Sequence, residues 1–343
     1  MEKGERNMDE RDEALKRDRE RQRKREELRQ KREEQVKKQK KIAAGVSILA
    51  LVLLIAGIFA GVQISKNIKA DKAREKARQE KLAKEKEQEE NTVEFLAVGD
   101  NIAHQAIRES GMQENDVWNY DHVYQYVKKD VEAADLSLVT QETVFVEDRN
   151  NVSGYPTFGT PPEFGDALVN TGFDVVAHAT NHILDKGTKS IEYTLDWWKT
   201  NHPDTKILGI HESQEAADEI TVIKCKKLKI AMLDYTYGLN GLELPSDKKY
   251  LTDVFDAEKA RSDIQRAKEM ADVVMVVMHV GVEYQQDVDD ETKQWVDLFL
   301  EEGVDIVIGS HPHVVRTMET LTGEDGHLSL IHISEPTRPE PIS

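Results

Sequence analysis

The stretch VDIVIGSHPHVV, residues 304–315, fixes the fold class. Val304, Ile306, Val307 and Ile308, with Asp305 among them, form an apolar run that stops at Gly309, the pattern of a short strand buried on both faces. His311 and His313, on either side of Pro312, then fall on the loop at the strand's C-terminal end. Proline fixes φ and lacks an N–H, so the spacing predicts an extended backbone with both imidazoles turned toward one point, as metal ligands are. An isolated His-x-His is as readily a surface loop that happens to carry two histidines. Here the arrangement recurs upstream.

From Thr92 onward, apolar runs alternate with amphipathic segments, which predicts a parallel-rich α/β sheet with crossover connections. Residues 93–98 run into Gly99-Asp100-Asn101, with His104 one helical turn beyond, and residues 135–140 run into Gln141-Glu142-Thr143. Residues 173–179 run into Thr180-Asn181-His182, and residues 273–278 into His279-Val280-Gly281. In an open α/β sheet, sites form outside the carboxyl ends of the strands, so these residues are expected to meet in one crevice. Singly, each has a plain explanation: Asp100 as a turn residue, Glu142 as a surface acid, His182 as a polar group at a helix start. His178, inside its strand, reads as a hydrogen-bonded core histidine. Jointly, they offer the oxygen and nitrogen donors that divalent transition metals prefer. The donors outnumber what one tetrahedral ion needs, so the sequence predicts two ions, of Mn, Fe or Zn, with Glu142 between them and Asn181 ligating through its amide oxygen. Such a pair makes a nucleophile from water near neutral pH, and a nearby histidine can protonate the leaving group, which suits phosphoester or amide hydrolysis.

The rest of the 343 residues divides by composition. Residues 1–41 hold 17 Lys and Arg and 12 Asp and Glu with no amphipathic period, predicting a solvated cytoplasmic helix or disorder rather than a core. The uncharged stretch 42–64, IAAGVSILALVLLIAGIFAGVQI, opens on Ile42 and closes on Ile64 and is long enough to cross a bilayer as one helix. A cleaved signal peptide would have a shorter apolar region and a shorter leader. Lys37, Lys38, Lys40 and Lys41 stand directly before it, against the more dispersed Lys66, Lys69 and Lys72 after it, so the single span is expected to leave its N-terminus in the cytoplasm. Residues 65–90, charged and free of Pro and Gly, predict a helical stalk of about 39 Å, with the domain at 91–327 outside the cell membrane. The remainder carries about −25, a charge that excludes nucleic acid and disfavours an anionic membrane surface as its ligand. Cys225, the single cysteine, permits no internal disulfide.

Together VGDN (98–101), QET (141–143), GFDVVAHATNHILDKG (172–187), MHVGVEY (278–284) and IGSHPHVV (308–315) resemble the CapA family. Its members are poly-γ-glutamate capsule-biosynthesis proteins, related to calcineurin-like metallophosphatases. The resemblance implies a metallophosphatase-like αββα sandwich of α/β class over nearly all of residues 93–321. It also implies Asp100, Glu142, Asn181, His182, His279, His311 and His313 as metal-site residues; His182 and His279 are the candidate catalytic residues. Two departures stand out. The first histidine after Asp100 is His104, four residues on rather than two, and Thr140 stands where the family has the amide of an Asn-x-Glu turn.

Glu283 and Tyr284, close after His279, are candidate substrate contacts. So is Tyr155, in the Gly/Pro-rich loop 153–163, which reads equally as a flap over the site or as an ordinary long connection. One at least of Trp197 and Trp198 is expected in the core. Residues 220–224 and 228–233 read as a hairpin with Cys225 in its turn. From Leu328 the chain reads LSLIHISEPTR, the translation of a transposase adapter, so residues 328–343 are read as a scar that leaves the domain short of its natural C-terminus. The function expected is a membrane-anchored, extracytoplasmic hydrolase of the capsule system that works beside synthase or export subunits on an anionic polymer or phosphoester. The competing expectation is a non-catalytic assembly or export factor using the same cleft.

Overall fold

A computed structural model of the chain describes residues 2–114, 117–324 and 326–333. The chain divides into two units, Met1–Glu85 and Lys86–Ser343. Helix α1, Glu2–Glu90, is unbroken through the charged leader, the apolar stretch and the stalk. No Pro interrupts it, and its charged parts are laced with exposed i,i+4 pairs such as Lys76–Glu80 and Lys81–Glu85. It is the one helix among the described residues long and apolar enough to cross a membrane.

In the second unit β1 (Phe95–Asn101), α2 (Gln105–Ser110), α3 (Lys128–Ala133), β2 (Leu136–Gln141), α4 (Glu163–Thr171), β3 (Val175–Ala177), α5 (Thr188–Asn201) and β4 (Lys206–Leu208) come first. There follow α6 (Gln214–Ala217), β5 (Thr221–Cys225), β6 (Leu228–Thr236), α7 (Ala257–Met270), β7 (Val273–His279), α8 (Asp290–Glu301), β8 (Ile306–Ser310), β9 (Met318–Thr322) and β10 (Leu328–Ile333). They build two sheets, β1-β2-β3-β4 and β5-β6-β7-β8-β10-β9. The first is parallel throughout. In the second, β6, β7, β8 and β10 run parallel while β5 and β9 close its edges antiparallel.

Side-chain alternation assigns the layers. Met275 and Val277 of β7 and Ile308 of β8 face Leu138 of β2 and Val175 and Ala177 of β3 in a core between the sheets. The alternate residues Val274, Val276 and Met278 pack with Val307 against α7 and α8. Val139 and Val176 pack on Phe164 and Leu168 of α4 and Trp198 of α5. The result is an αββα sandwich, with the apolar strand runs explained by burial on both faces.

One local expectation needs correction. Cys225 is not in the turn: it is the last residue of β5, buried, and the turn is Lys226-Lys227 with Lys226 at φ 50. Residues 328–333 form β10 inside the second sheet, between β8 and β9. Whatever its origin, the run LSLIHI is rich in Leu and Ile and buries Ile331 on the core side, which suits a strand.

Candidate metal centre

Parallel strands deliver their C-terminal residues to one edge of a sheet, and here the two sheets place those edges side by side. Asp100, Glu142, Asn181 and His182 come from β1, β2 and β3 or the loops just past them. His279 ends β7, and His311 and His313 lie in the loop just past β8. β1 runs past Val98, where the sequence reading ended it, because the register slips at Gly99: Val98 lies opposite Val139 but Asp100 opposite Thr140. Such a bulge re-aims the next side chain, and the Asp100 carboxylate crosses to the other sheet, where Oδ2 accepts the backbone N–H of His311 at 2.8 Å.

Around Glu142 the geometry is close. Its Oε1 lies 3.8 Å from His279 Nε2, 3.9 Å from His182 Nε2 and 4.0 Å from His313 Nε2. Asp100 lies 3.5 Å from His279 Nδ1 and 3.4 Å from His313 Nδ1. Two sets of donor atoms result, Glu142 with His279 and His311, and Asp100 with Glu142 and His313, each gathered within 4.8 Å, and Glu142 belongs to both. Glu142 is fully buried, yet neither of its carboxylate oxygens receives a hydrogen bond, nor does Asp100 Oδ1. Burying a carboxylate without donors is costly, and mixed imidazole and carboxylate donors around it are what a divalent transition metal satisfies. The residues therefore fit such an ion.

The charges are split accordingly. Burial, and then the neighbouring Asp100, push Glu142 well above the usual carboxylate range. Burial would also raise Asp100, but His279, His313 and the His311 N–H outweigh it and hold that carboxyl low. Burial depresses His313, and takes His311 down to about 2 with help from His279, which keeps both imidazoles in the neutral form that binds metal.

A further set of side chains orients these. His279 Nδ1 lies 2.8 Å from Ser310 Oγ and its Nε2 2.9 Å from Asn181 Oδ1. Asn181 Nδ2 donates to Asn240 Oδ1 at 3.1 Å, which leaves the Asn181 amide oxygen on the side of the centre. His182 Nδ1 lies 2.7 Å from Asp185 Oδ2, and the same oxygen accepts the Phe158 N–H at 2.7 Å. Tyr237 sets its ring 4.9 Å from that of His311. Sequence reasoning missed Asn240, Tyr237, Ser310 and Asp185. Only Asp185 left a signal, since it follows His182 by three residues in a turn that brings i and i+3 together.

The His-Pro-His loop departs from expectation. It is not extended: His311 has φ 95 and His313 φ 55, conformations costly for residues with a Cβ. The rings still come to 6.0 Å between centroids, because the chain turns there, held by the His311 N–H to Asp100 and by the Tyr284 N–H to Pro312 O at 2.7 Å. The buried Arg316 braces the facing loop, with Nε donating to Gln285 O and Nη2 to Val282 O.

The expected substrate residues lie at the rim. Tyr284 is 70% exposed, with its ring 5.9 Å from that of His313, and Glu283 beside it is exposed. Tyr155 is 79% exposed and reaches the centre only through Phe158, whose ring meets Tyr155 at 6.5 Å and His182 at 4.8 Å. His104 packs edge-on to Phe158 at 5.2 Å and belongs to neither donor set. His178 is a core residue: its Nε2 accepts from Trp198 Nε1 at 3.0 Å, and burial lowers its pKa to about 3.

Residues 94–329 match the family described as bacterial capsule synthesis protein PGA_cap. The chain is 28% identical over 207 residues to the PGA biosynthesis protein CapA of Bacillus subtilis (strain 168), covering 59% of this chain and 54% of that protein. It is 23% identical over 250 residues to the capsule biosynthesis protein CapA of Bacillus anthracis, covering 71% of this chain and 59% of that protein. It thus spans little more than half the length of the curated relatives it matches. Among solved structures, a putative 5'-nucleotidase from Staphylococcus aureus in complex with alpha-ketoglutarate is similar at a TM-score of 0.43 and 15% identity, over 73% of this chain and 55% of that one.

Proposed function

The chain belongs to the bacterial capsule synthesis protein family, and from that premise we propose that it is a membrane-anchored, extracytoplasmic, metal-dependent hydrolase of capsule production, acting on phosphoester or γ-amide bonds of an anionic polymer. The observation that carries this reading is the pair of donor sets sharing Glu142, whose two oxygens are buried without hydrogen bonds.

Two divalent ions bound there would polarise the scissile group and make water nucleophilic near neutral pH. Glu142 holds the shared position. Asp100 and His313 complete one set, and His279 and His311 the other, with Asn181 Oδ1 beside them. Ser310 Oγ, 2.8 Å from Nδ1, orients His279 and leaves Nε2, 2.9 Å from Asn181 Oδ1, on the side of the donor set. His182 presents Nε2 to the centre because Asp185 engages Nδ1, which suits it to give a proton to the leaving group. Tyr155, Glu283 and Tyr284 form the rim that a long substrate crosses. Residues 42–64 tether the domain to the membrane, where synthase or export subunits would be its neighbours.

The test uses the full-length protein in detergent with Mn²⁺ or Zn²⁺, on bis(p-nitrophenyl) phosphate and on poly-γ-glutamate analysed for chain length. Glu142→Gln and His279→Ala should each lower turnover at least 100-fold, as loss of a metal-site group does. A metal-loaded wild-type protein inactive on both substrates would refute the hydrolase. Cells that keep making capsule with variants unable to bind metal would point to the assembly or export factor instead.

A further inference from the structure

The metal centre accounts for one reacting group, but an anionic substrate presents more than one charge to a domain of about −25, and those charges need a counterpart. The domain's arginines are almost all consumed internally. Arg149 pairs with Glu163, Arg261 with Glu301 and Glu302, Arg266 with Asp263, and Arg316 with Asp289. Arg108 is the exception: among the described residues no carboxylate pairs with it, and its Nη1 is buried without a hydrogen-bond partner. A guanidinium nitrogen left so is expensive unless something else fills the place.

Its position says what. Arg108 lies one helical turn after His104 on α2, so the two share a face, and the Tyr120 hydroxyl fixes the Arg108 carbonyl at 2.8 Å. His104 packs on Phe158, and Phe158 on His182, so the helix face shared by His104 and Arg108 adjoins the centre through these rings. Over it lies the hairpin 153–159, closed by paired backbone bonds between Ser153 and Gly159. Arg108 Nη1 sits 3.4 Å from where a Cβ on Gly154 would be, so the missing side chain lets the hairpin backbone approach that nitrogen of the half-buried arginine. The tip beside it carries the exposed Tyr155.

We propose that Arg108 is an anion subsite under the 153–159 hairpin, which takes a carboxylate or phosphate of the substrate outward from the group at the metal centre. The proposal rests on the reading that an anionic polymer occupies that centre, but not on the polymer being cleaved. A planar guanidinium can bind either anion with two parallel hydrogen bonds. The hairpin tip must lift for the anion to enter, which gives the exposed Tyr155 side of the loop a role in admission.

The test is binding rather than turnover. Affinities of poly-γ-glutamate and of polyphosphate for the full-length protein in detergent with Mn²⁺ would be measured by calorimetry for the wild type, Arg108→Gln and Arg108→Lys, each with its melting temperature. Arg108→Gln should weaken binding of the matching polyanion about tenfold or more, the worth of a charge-assisted pair, and Arg108→Lys should recover part of it. Whichever polymer responds identifies the anion. Equal affinities in all three proteins, or no binding of either polymer to the wild type, would overturn the subsite. Polymer binding that depends on Arg108 in a protein without hydrolytic activity would keep the subsite and refute only the hydrolase.

Discussion

Glu142→Gln should stabilise the metal-free protein and abolish its response to metal, a reversal of sign that an ordinary buried glutamate would not show. In the wild type, a carboxyl group with no exposure and no hydrogen bonds stands beside a second carboxylate. Leaving such a group unsatisfied costs about 1–3 kcal/mol. Glutamine keeps the shape, removes the charge and can donate to Asp100. For a domain of this size each kcal/mol moves the melting temperature by about 2–4 °C, so in chelator the variant should melt about 2–12 °C above the wild type. The sign with pH follows from the raised folded-state pKa. The contribution of Glu142 is fully present below its unfolded value near 4.3 and is lost as pH rises through the higher folded one, so the gap should widen from acid toward neutral pH. With metal at about 100 times its dissociation constant, the wild type should gain about 2.7 kcal/mol and the variant almost nothing. Tryptophan fluorescence suits the measurement, because all four tryptophans, Trp118, Trp197, Trp198 and Trp295, lie beyond α1. A variant that melts below the wild type in chelator and still responds to metal would refute the assignment.

Other outcomes follow from the same geometry. Asp234, buried on β6, accepts the His178 and Ala179 N–H groups, and burial raises its pKa to about 8. Its raised value means that stability present at low pH is lost as pH rises toward 8, by up to about 1.4 kcal/mol per pH unit, and Asp234→Asn should flatten that slope in urea titrations. Gly209→Ala should destabilise by about 3 kcal/mol or more, since φ is 76 and a Cβ would lie 2.3 Å from Asp234 Oδ2 and 2.5 Å from Ala179 N; a melt within 2 °C of the wild type would count against it. Tags inserted after Glu90 should be cut by protease on intact cells and tags before Lys41 protected; the reverse pattern would overturn the orientation.

Much of this was legible in the sequence because burial on both faces and strand-end chemistry leave strong local signals. Val304 to Ile308 announce a strand by composition, and the same run carries its histidines with it. The division into two sheets was not legible from periodicity: a doubly buried strand reads the same whether a helix or another sheet covers it. Only the family resemblance implied the second layer. The φ values of His311 and His313 ran against what proline predicts for its neighbour, because tertiary contacts to Asp100 and Tyr284 set that loop rather than local preference. Asn240 was invisible for a related reason: it reaches Asn181 from 59 residues away, and nothing in Leu239-Asn240-Gly241 distinguishes it from a common turn.

The centre draws its donors from both sheets, with Asp100 bonded to a residue 211 positions later. No nascent or partly threaded chain can hold the complete set, so loading must wait until the whole domain has been made and both sheets have docked. On the extracytoplasmic placement proposed above, the ion the domain acquires would be selected by the compartment in which folding finishes, not by the metal pool of the cytoplasm. Metal choice in this protein would be a matter of address as much as of ligand chemistry.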